Sequence, residues 1–219
     1  MAIRRLLAAL LLAACIGRAQ GVHPVTGRRI AQVMGPGGAD WLVRPERVEE
    51  ERPDEALDAL KIPRGAVVAD IGAGVGYFTW RLAERVGPQG IVYGEDIQQP
   101  MLDLLDRNMK ARRLTNVRPL LGTIDDPRLP GNSLDLVLLV DVYHEFSEPE
   151  KMLDRIRESL KPGGRLVLIE YRGEDPRVPI RPEHKMTIKQ VRAELEPRSL
   201  KFVESLEILP QQHILIFKR

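Results

Sequence analysis

Short apolar runs alternate with helical patterns along most of the chain. Runs that are apolar throughout indicate strands buried on both faces, as in parallel sheets. The predicted strands span 66–69, 91–96, 116–121, 133–140 and 165–170, and the predicted helices span 54–60, 78–86, 101–114, 149–160 and 187–195. A hairpin of residues 202–209 and 213–217 is predicted near the end of the chain. This alternation predicts an α/β fold with a largely parallel sheet.

A glycine-rich turn joins the first strand to the next helix. Asp70 ends the strand, and glycines follow at positions 72, 74 and 76. The dinucleotide fingerprint G-x-G-x-x-G would place its third glycine at Tyr77, so that fingerprint is broken. A carboxylate beside the turn favours a cationic ligand over a pyrophosphate. Glycine allows the backbone to approach such a ligand closely.

Residues 67–79 resemble motif I of the class I S-adenosylmethionine-dependent methyltransferases. Leu-Lys-Pro-Gly-Gly at 160–164 resembles another mark of that family, and the resemblance extends from about Leu57 to the C-terminus. It implies S-adenosylmethionine as the cofactor. It also implies a doubly wound, Rossmann-like fold, with a mostly parallel seven-stranded sheet and an antiparallel last strand.

The resemblance also implies a set of cofactor contacts. The glycine turn would hold the methionine part, and Asp96 would accept hydrogen bonds from the ribose. Asp96 follows Gly76 by the interval of roughly 20 residues expected of such an acid, although an acid here also suits a helix N-cap. Its neighbour Glu95 is expected to point to the opposite side of the strand. The predicted cofactor residues are Asp70, Gly72, Ala73, Gly74, Gly76, Tyr77, Asp96, Ile97, Thr123, Asp125 and Asp141.

The adenine contact departs from the family pattern. Most relatives place an aspartate directly after the glycine that ends the third strand, where this chain has Thr123. Asp125 is the first candidate to bond the adenine, with the backbone near Ile124 as a second contact. An Asx turn before Pro127 is the alternative role for Asp125.

The predicted catalytic residues are His144, Glu145 and His184. In the family fold the fourth strand ends near the transferred methyl group, and His144 and Glu145 follow that strand. A histidine beside a carboxylate suits a general base. Methyl transfer by positioning alone remains an alternative, with His144 capping the next helix. Tyr143 is predicted to line the cofactor pocket.

Residues 171–186 form an insert stiffened by prolines before the last helix. In related folds this insert lies over the site. Tyr171, Arg172, Glu183 and His184 are therefore candidates for shaping the acceptor pocket. The alternative is a surface loop with paired charges.

The chain begins with a secretory signal layout. Two arginines precede an apolar run over residues 6–16, which is short for a membrane span. Two cleavage sites are possible: cleavage after Ala19, or cleavage at a lipobox that would leave Cys15 lipidated. A third possibility is that the leader is not cleaved, which would leave the protein cytoplasmic. The prediction is export to the periplasm or lipid anchoring, with membrane contact through this segment alone. The predicted domains are residues 1–19, an arm of residues 20–56 and a methyltransferase domain of residues 57–219.

The arm of residues 20–56 is rich in glycine, proline and charge, with an apolar anchor at Trp41–Val43. In related proteins such arms fold over the cofactor and help to form the substrate pocket. The alternative is a linker that packs Trp41 on the core.

Charge, cysteine and histidine content argue against several classes of partner and site. Residues 20–219 carry 30 basic and 31 acidic residues, so the sequence predicts no nucleic-acid partner. Cys15 is the only cysteine, which excludes internal disulfides and a thiolate metal cluster. The four histidines show no paired ligand spacing, so no metal site is predicted. The sequence makes no prediction of oligomeric state.

The sequence therefore predicts a methyltransferase that acts on a small molecule, with lipid, quinone-like and thiol compounds all open. Two other functions stay open. A non-catalytic S-adenosylmethionine-binding protein would keep the same motifs, and an NAD-dependent oxidoreductase is disfavoured by the broken fingerprint.

Overall fold

A computed structural model describes residues 21–219. The predicted leader, both cleavage alternatives and Cys15 lie outside this range. Within residues 21–219, no helix is both long and apolar enough to cross a membrane.

The described helices and strands follow the predicted alternation. The helices are α1 (Arg47–Glu51), α2 (Pro53–Ala59), α3 (Thr79–Val86), α4 (Gln99–Ala111), α5 (Pro149–Ser159) and α6 (Ile188–Leu195). The strands are β1 (Val67–Ile71), β2 (Ile91–Asp96), β3 (Val117–Leu121), β4 (Leu134–Val140), β5 (Leu160–Arg172), β6 (Lys185–Met186), β7 (Lys201–Leu206) and β8 (Gln212–Lys218).

One sheet runs through the described part of the chain in the order β3-β2-β1-β4-β5-β8-β7. The pairs among β1 to β5 are parallel, and β8 is antiparallel to both β5 and β7. The α/β fold, the mostly parallel sheet and the antiparallel last strand are therefore confirmed. The two-residue strand β6 pairs with β5 off this path, as an addition that the sequence pattern did not predict.

Helices cover both faces of the sheet. Leu57, Leu82 and Leu105, from α2, α3 and α4, are buried in one apolar cluster. Leu153 of α5 and Val191 of α6 are buried in the other. Burying both faces explains why the central strands are apolar throughout. Their carboxyl ends meet at one edge, and that edge is where ligands bind in such folds.

Helix α6 begins with a complete capping box, which fixes the end of the insert. The Thr187 hydroxyl accepts from the Gln190 backbone N–H at 3.1 Å, and the Gln190 side chain accepts from the Thr187 N–H at 3.0 Å. Two backbone donors that lack partners within the helix are satisfied in this way. The cap directly follows β6 (Lys185–Met186), which pairs with β5.

We predict that Thr187→Ala lowers the free energy of unfolding by about 1 kcal/mol, because it removes the side-chain acceptor of the cap. Thr187→Ser keeps the hydroxyl and is the matched control. Urea denaturation followed by circular dichroism measures both variants. An equal loss in the two variants would show that the Thr187 methyl group, and not the cap, stabilises this segment.

Candidate active site

A cavity of about 600 Å³ opens at the carboxyl ends of β1, β2, β4 and β5. Four segments enclose it: the glycine turn after β1, the end of β2, the loop after β4 and part of the 171–186 insert. The N-terminal arm closes the remaining side through residues 32–34, 41, 42 and 44. The sheet therefore brings together segments that are far apart in the sequence.

Gly72 and Gly74 of the turn line this cavity. Gly72 has φ +67°, and a Cβ there would lie 2.3 Å from Cγ2 of Val142. Gly74 has φ +53°, and its Cβ would lie 2.8 Å from Leu42 of the arm. Both positions thus favour glycine for their conformation, and Gly72 also requires it for space.

Asp96 is held in place by backbone donors. Its Oδ2 accepts from the Gly74 N–H at 2.9 Å, and its Oδ1 accepts from the Gln98 N–H at 2.9 Å. The carboxylate lines the cavity together with Ile97. Its position suits the predicted ribose contact, and the bond to Gln98 also serves the start of α4.

The prediction that Glu95 points away from the site is wrong. Glu95 lines the same cavity as Asp96, and its Oε2 lies 3.4 Å from the Gly72 backbone nitrogen. Alternation holds along a strand, but Glu95 lies at the strand end, where its longer side chain reaches the turn. Its Oε1 is buried without a hydrogen-bond partner among the described residues.

Several predicted cofactor residues support the turn without lining the cavity. Asp70 is buried and accepts from the Thr79 hydroxyl at 2.6 Å. Gly76 packs against Met109 and Leu105, and the Ala73 N–H donates to the Glu95 carbonyl at 2.8 Å. The cavity-lining residues include none of these three.

Two aromatic residues expected near the cofactor lie elsewhere. The Tyr77 ring lies 4.1 Å from the guanidinium of Arg47 and does not line the cavity. Tyr143, predicted to line the pocket, is fully buried with its hydroxyl directed at His23. The prediction for Tyr143 is wrong because the loop after β4 turns this ring toward the arm and away from the cavity.

Thr123 and Asp125 lie at a second, polar cavity beside α5. The Thr123 hydroxyl donates to Asp125 Oδ1 at 2.8 Å, so the two side chains satisfy each other. Ile124, between them, lines the main cavity. This arrangement leaves the second predicted adenine contact, near Ile124, as the one that faces the main cavity.

The loop after β4 places His144 and Glu145 on a short helical turn facing the cavity. His144 Nδ1 lies 2.6 Å from Oε2 of Glu170, a fully buried acid of β5. His144 Nε2 lies 3.1 Å from Nδ1 of His184 in the insert. Glu170, His144 and His184 thus form a hydrogen-bonded row that ends in the cavity.

Electrostatics differ between the two histidines. Burial lowers the pKa of His144, but the charge and hydrogen bond of Glu170 outweigh it and leave the pKa raised. Burial and the neighbouring His144 lower the pKa of His184. Burial also raises the pKa of Glu145 to about 7, against the opposing effect of His144.

Asp141 lines the cavity beside this row in a left-handed conformation, with φ 52°. Its Oδ2 accepts from the Gln212 side chain at 2.7 Å, whereas its Oδ1 is buried without a partner among the described residues. Burial raises the pKa of Asp141 well above its ordinary value, and the charges of Glu51 and Glu170 add to that rise. A left-handed aspartate at the end of a central strand is typical of a functional position.

The insert and the arm contribute unequally to the cavity. Tyr171 and His184 line it, whereas Arg172 pairs with Glu207 at 2.7 Å outside it. Glu183 does not line it either. Trp41 is 58% exposed, with the Arg44 guanidinium 3.9 Å from its ring. The arm therefore covers the site, and the alternative that it packs Trp41 on the core is wrong.

Two acids of the site, Glu51 and Glu170, had no role predicted from the sequence. A sequence signal for Glu170 exists: it follows the apolar run 166–169, just as Asp70 follows the apolar run 66–69. Both acids therefore mark the carboxyl end of a buried strand. Glu51 lies on α1 and lines the cavity with a buried Oε2 that has no partner within the described range. No sequence pattern indicated that role.

Comparisons with known proteins find methyltransferases. Residues 68–164 match a family model described as a methyltransferase domain. The crystal structure of a SAM-dependent methyltransferase from Aquifex aeolicus superimposes with a TM-score of 0.80 at 26% identity, covering 85% of this chain and 99% of that one. The comparisons support a class I methyltransferase.

Curated relatives match a shorter stretch. A demethylmenaquinone methyltransferase of Geobacillus sp. strain WCH70 is 29% identical over 117 residues, which is 53% of this chain and 50% of that protein. A methyltransferase of Mycobacterium bovis, itself uncharacterized, is 36% identical over 125 residues, which is 57% of this chain and 47% of its own length. The chain spans about half the length of the curated relatives it matches.

We predict that the protein becomes less stable as the pH rises toward 8, in part through Glu95. Burial and then the charge of Asp96 raise the pKa of Glu95 to about 8. Asp70 and Asp126 also act on Glu95, and burial raises the pKa of Asp70 to about 7. In this pH range the folded state keeps protons that the unfolded chain has lost. The free energy of unfolding therefore falls as the pH rises, by up to about 1.4 kcal/mol per pH unit for each group.

Glu95→Gln should flatten this slope between pH 7 and 8, above the pKa of Asp70. Urea denaturation at a series of pH values measures the effect, with the exposed Asp103→Asn as the control. An unchanged slope in Glu95→Gln would contradict the raised pKa of Glu95.

Proposed function

We propose that this protein transfers a methyl group from S-adenosylmethionine to a small, largely apolar acceptor. The observation that supports this best is a set of buried carboxylate oxygens around the cavity that have no partner among residues 21–219. They belong to Glu51, Glu95 and Asp141. A buried acceptor without a partner is costly, so these atoms favour a ligand that is cationic and rich in donors. S-adenosylmethionine has a sulfonium, an ammonium and ribose hydroxyls, and carries no phosphate.

The cofactor would lie along the glycine turn. Gly72 and Gly74 give it close access to the backbone, and Asp96 is oriented to accept from its ribose. Apolar contacts for a flat base come from Ile97, Met101 and Ile124 in the same wall. Arg44 and Arg47 also line the cavity, and although they pair with Glu50 and Glu51, their remaining N–H groups would be partners for the carboxylate of the cofactor.

When bound, S-adenosylmethionine supplies a methyl group on a positively charged sulfur. The chain must then place a nucleophile in line with it and exclude water. The arm and the insert enclose the cavity for this purpose. Methyl transfer would take place between the glycine turn and the loop after β4, because both line the same space.

The acceptor side combines apolar walls with one polar cluster. Phe146, Met152, Tyr171 and Ile180 line it. His144, Glu145 and His184 supply the polar groups, which would orient and activate the acceptor. A small ring system bearing a hydroxyl fits this division, and the name of the Geobacillus relative supports a quinone-like compound.

The alternatives fit the site less well. An NAD-dependent enzyme would bring a pyrophosphate to a turn surrounded by Asp70, Glu95 and Asp96, where an ionised carboxylate repels it and a protonated one, such as Glu95 with its pKa raised to about 8, gives it no countercharge. A non-catalytic binding protein would account for the glycine turn and Asp96, but would leave the polar cluster at the acceptor side without a use.

We also propose that the leader directs export, on the layout of residues 1–19 alone.

We predict that the full chain binds S-adenosylmethionine and that Asp96→Ala weakens this binding about 10- to 100-fold. This is the range expected when a hydrogen bond to a charged group is lost, at about 1.5–3 kcal/mol. Isothermal titration with S-adenosylmethionine, and separately with NAD, measures the affinities. Asp103→Ala on the exposed face of α4 is the matched control.

Turnover then separates the remaining functions. Formation of S-adenosylhomocysteine with hydroquinones, catechols or thiols would support the methyltransferase and name its acceptor class. Tight binding without turnover on this panel would favour the non-catalytic alternative. A preference for NAD would contradict the proposal.

A further inference from the structure

We propose that His144, Glu145 and His184 form a binding site for a first-row divalent metal ion at the acceptor end of the cavity. The sequence predicted no metal site, because the two histidines are separated by 40 positions and show no ligand spacing. The fold brings them together through the loop after β4 and the insert. All three side chains line the cavity.

The ligand atoms are close enough to share one ion. One ring nitrogen of each histidine and one carboxylate oxygen of Glu145 all lie within 4.8 Å of one another. Nε2 of His144 and Nδ1 of His184 are 3.1 Å apart. Two nitrogens that each lie about 2.0–2.1 Å from the same ion are separated by about 3 Å when they occupy neighbouring positions around it.

Glu170 holds His144 in the orientation that a metal ligand needs. Its Oε2 lies 2.6 Å from Nδ1 of His144, and its Oε1 accepts from the Tyr143 N–H at 3.0 Å. The carboxylate is therefore fixed from both sides, and it favours the tautomer with the proton on Nδ1. This leaves the Nε2 lone pair facing His184. Metal-binding histidines commonly have a carboxylate partner on their other nitrogen.

The chemistry of the donors indicates the class of ion. Two imidazoles and one carboxylate suit Zn²⁺, Fe²⁺, Co²⁺ or Mn²⁺ better than Ca²⁺ or Mg²⁺, which prefer oxygen ligands. Three protein ligands leave at least one position open on the cavity side. An oxygen of the methyl acceptor can occupy that position.

What the ion would do rests on the proposed function, whereas its binding does not. An ion beside the acceptor hydroxyl lowers the pKa of that hydroxyl, and its proton leaves to water. The oxygen then forms a bond to the methyl carbon as the carbon–sulfur bond breaks, and the electron pair of that bond stays on sulfur. The products are the methyl ether, neutral S-adenosylhomocysteine and one proton. The site would thus select acceptors with a hydroxyl group.

Metal binding can be tested without any acceptor. The full chain is freed of metal with a chelator and titrated with Co²⁺, whose visible absorption reports nitrogen ligation, and with Zn²⁺ by calorimetry. We expect one equivalent to bind. His184→Ala, at a half-buried position, should weaken binding by more than the roughly 10- to 100-fold that loss of an orienting carboxylate costs.

Two further variants sharpen the test. Glu170→Gln, a positioning change, should weaken the metal affinity about 10- to 100-fold and alter the Co²⁺ spectrum. Glu183→Gln lies on the same short turn as His184 but outside the cluster, and should bind as the unaltered protein does. Circular dichroism checks that each variant is folded.

The outcomes separate this inference from the proposed function. Saturable binding lost in His184→Ala and kept in Glu183→Gln supports the site. No binding, or equal binding in His184→Ala, overturns it and leaves a hydrogen bond between the two rings. S-adenosylmethionine binding is measured in the metal-free protein, so its absence would count against the proposed function alone.

Discussion

The site depends on burying several carboxyl groups at one edge of a parallel sheet. Asp70, Glu95, Asp96 and Glu170 are each at most 6% exposed, and they lie near the carboxyl ends of β1, β2 and β5, with β4 between β1 and β5. Asp141 follows β4. Removing a carboxylate from water costs free energy unless it is neutralised or bonded. The architecture therefore requires that each of these groups be compensated, and the way each one is compensated indicates its use.

The buried carboxyl groups are of two kinds, according to whether hydrogen bonds within the protein offset the cost of burying them. Asp70, Asp96 and Glu170 have short hydrogen bonds within the protein, from Thr79, from the turn and from His144. Glu95 and Asp141 each keep a buried oxygen without a partner in the described part of the chain. Asp70 and Glu170 shape the site, Asp96 is held facing the cavity by its bonds, and Glu95 and Asp141 each keep an oxygen available to a ligand. A cationic cofactor at the glycine turn and a metal ion at the histidine pair would both lower the cost of burying this charge.

The sequence predicts those parts of the site whose residues lie close together along the chain, and fails where residues distant in sequence meet. The glycine turn and Asp96 belong to one continuous β1-turn-α3-β2 segment, so their position follows from strand periodicity and a motif. The pairing of His144 with His184 depends on the path of the insert, which no local pattern determines. Tyr143 was misplaced because the turn after β4 could not be read from periodicity. Glu95 was misplaced because alternation gives no rule for a side chain at a strand end. Glu51 entered the site through the arm, whose docking on the loop after β4 includes a bond from the Ala31 N–H to the His144 carbonyl at 3.0 Å.

If the unpartnered carboxyl oxygens around the cavity receive a cationic cofactor, a carboxyl group whose pKa is raised by burial, such as Glu95, should ionise when the cofactor binds. Isothermal titration of S-adenosylmethionine at pH 7, in two buffers of different ionisation enthalpy, measures it most directly. We expect a net release of protons, because Glu95, with a pKa of about 8, would lose its proton to bind the cofactor. The amino group of the ligand, with an ordinary pKa of about 8, is mostly protonated at pH 7 already. Binding at a site of buried carboxyl groups would complete its protonation, so the ligand is not the source of the released protons. Binding with no release of protons would show that Glu95 does not ionise on binding, and no binding would overturn the proposed cofactor.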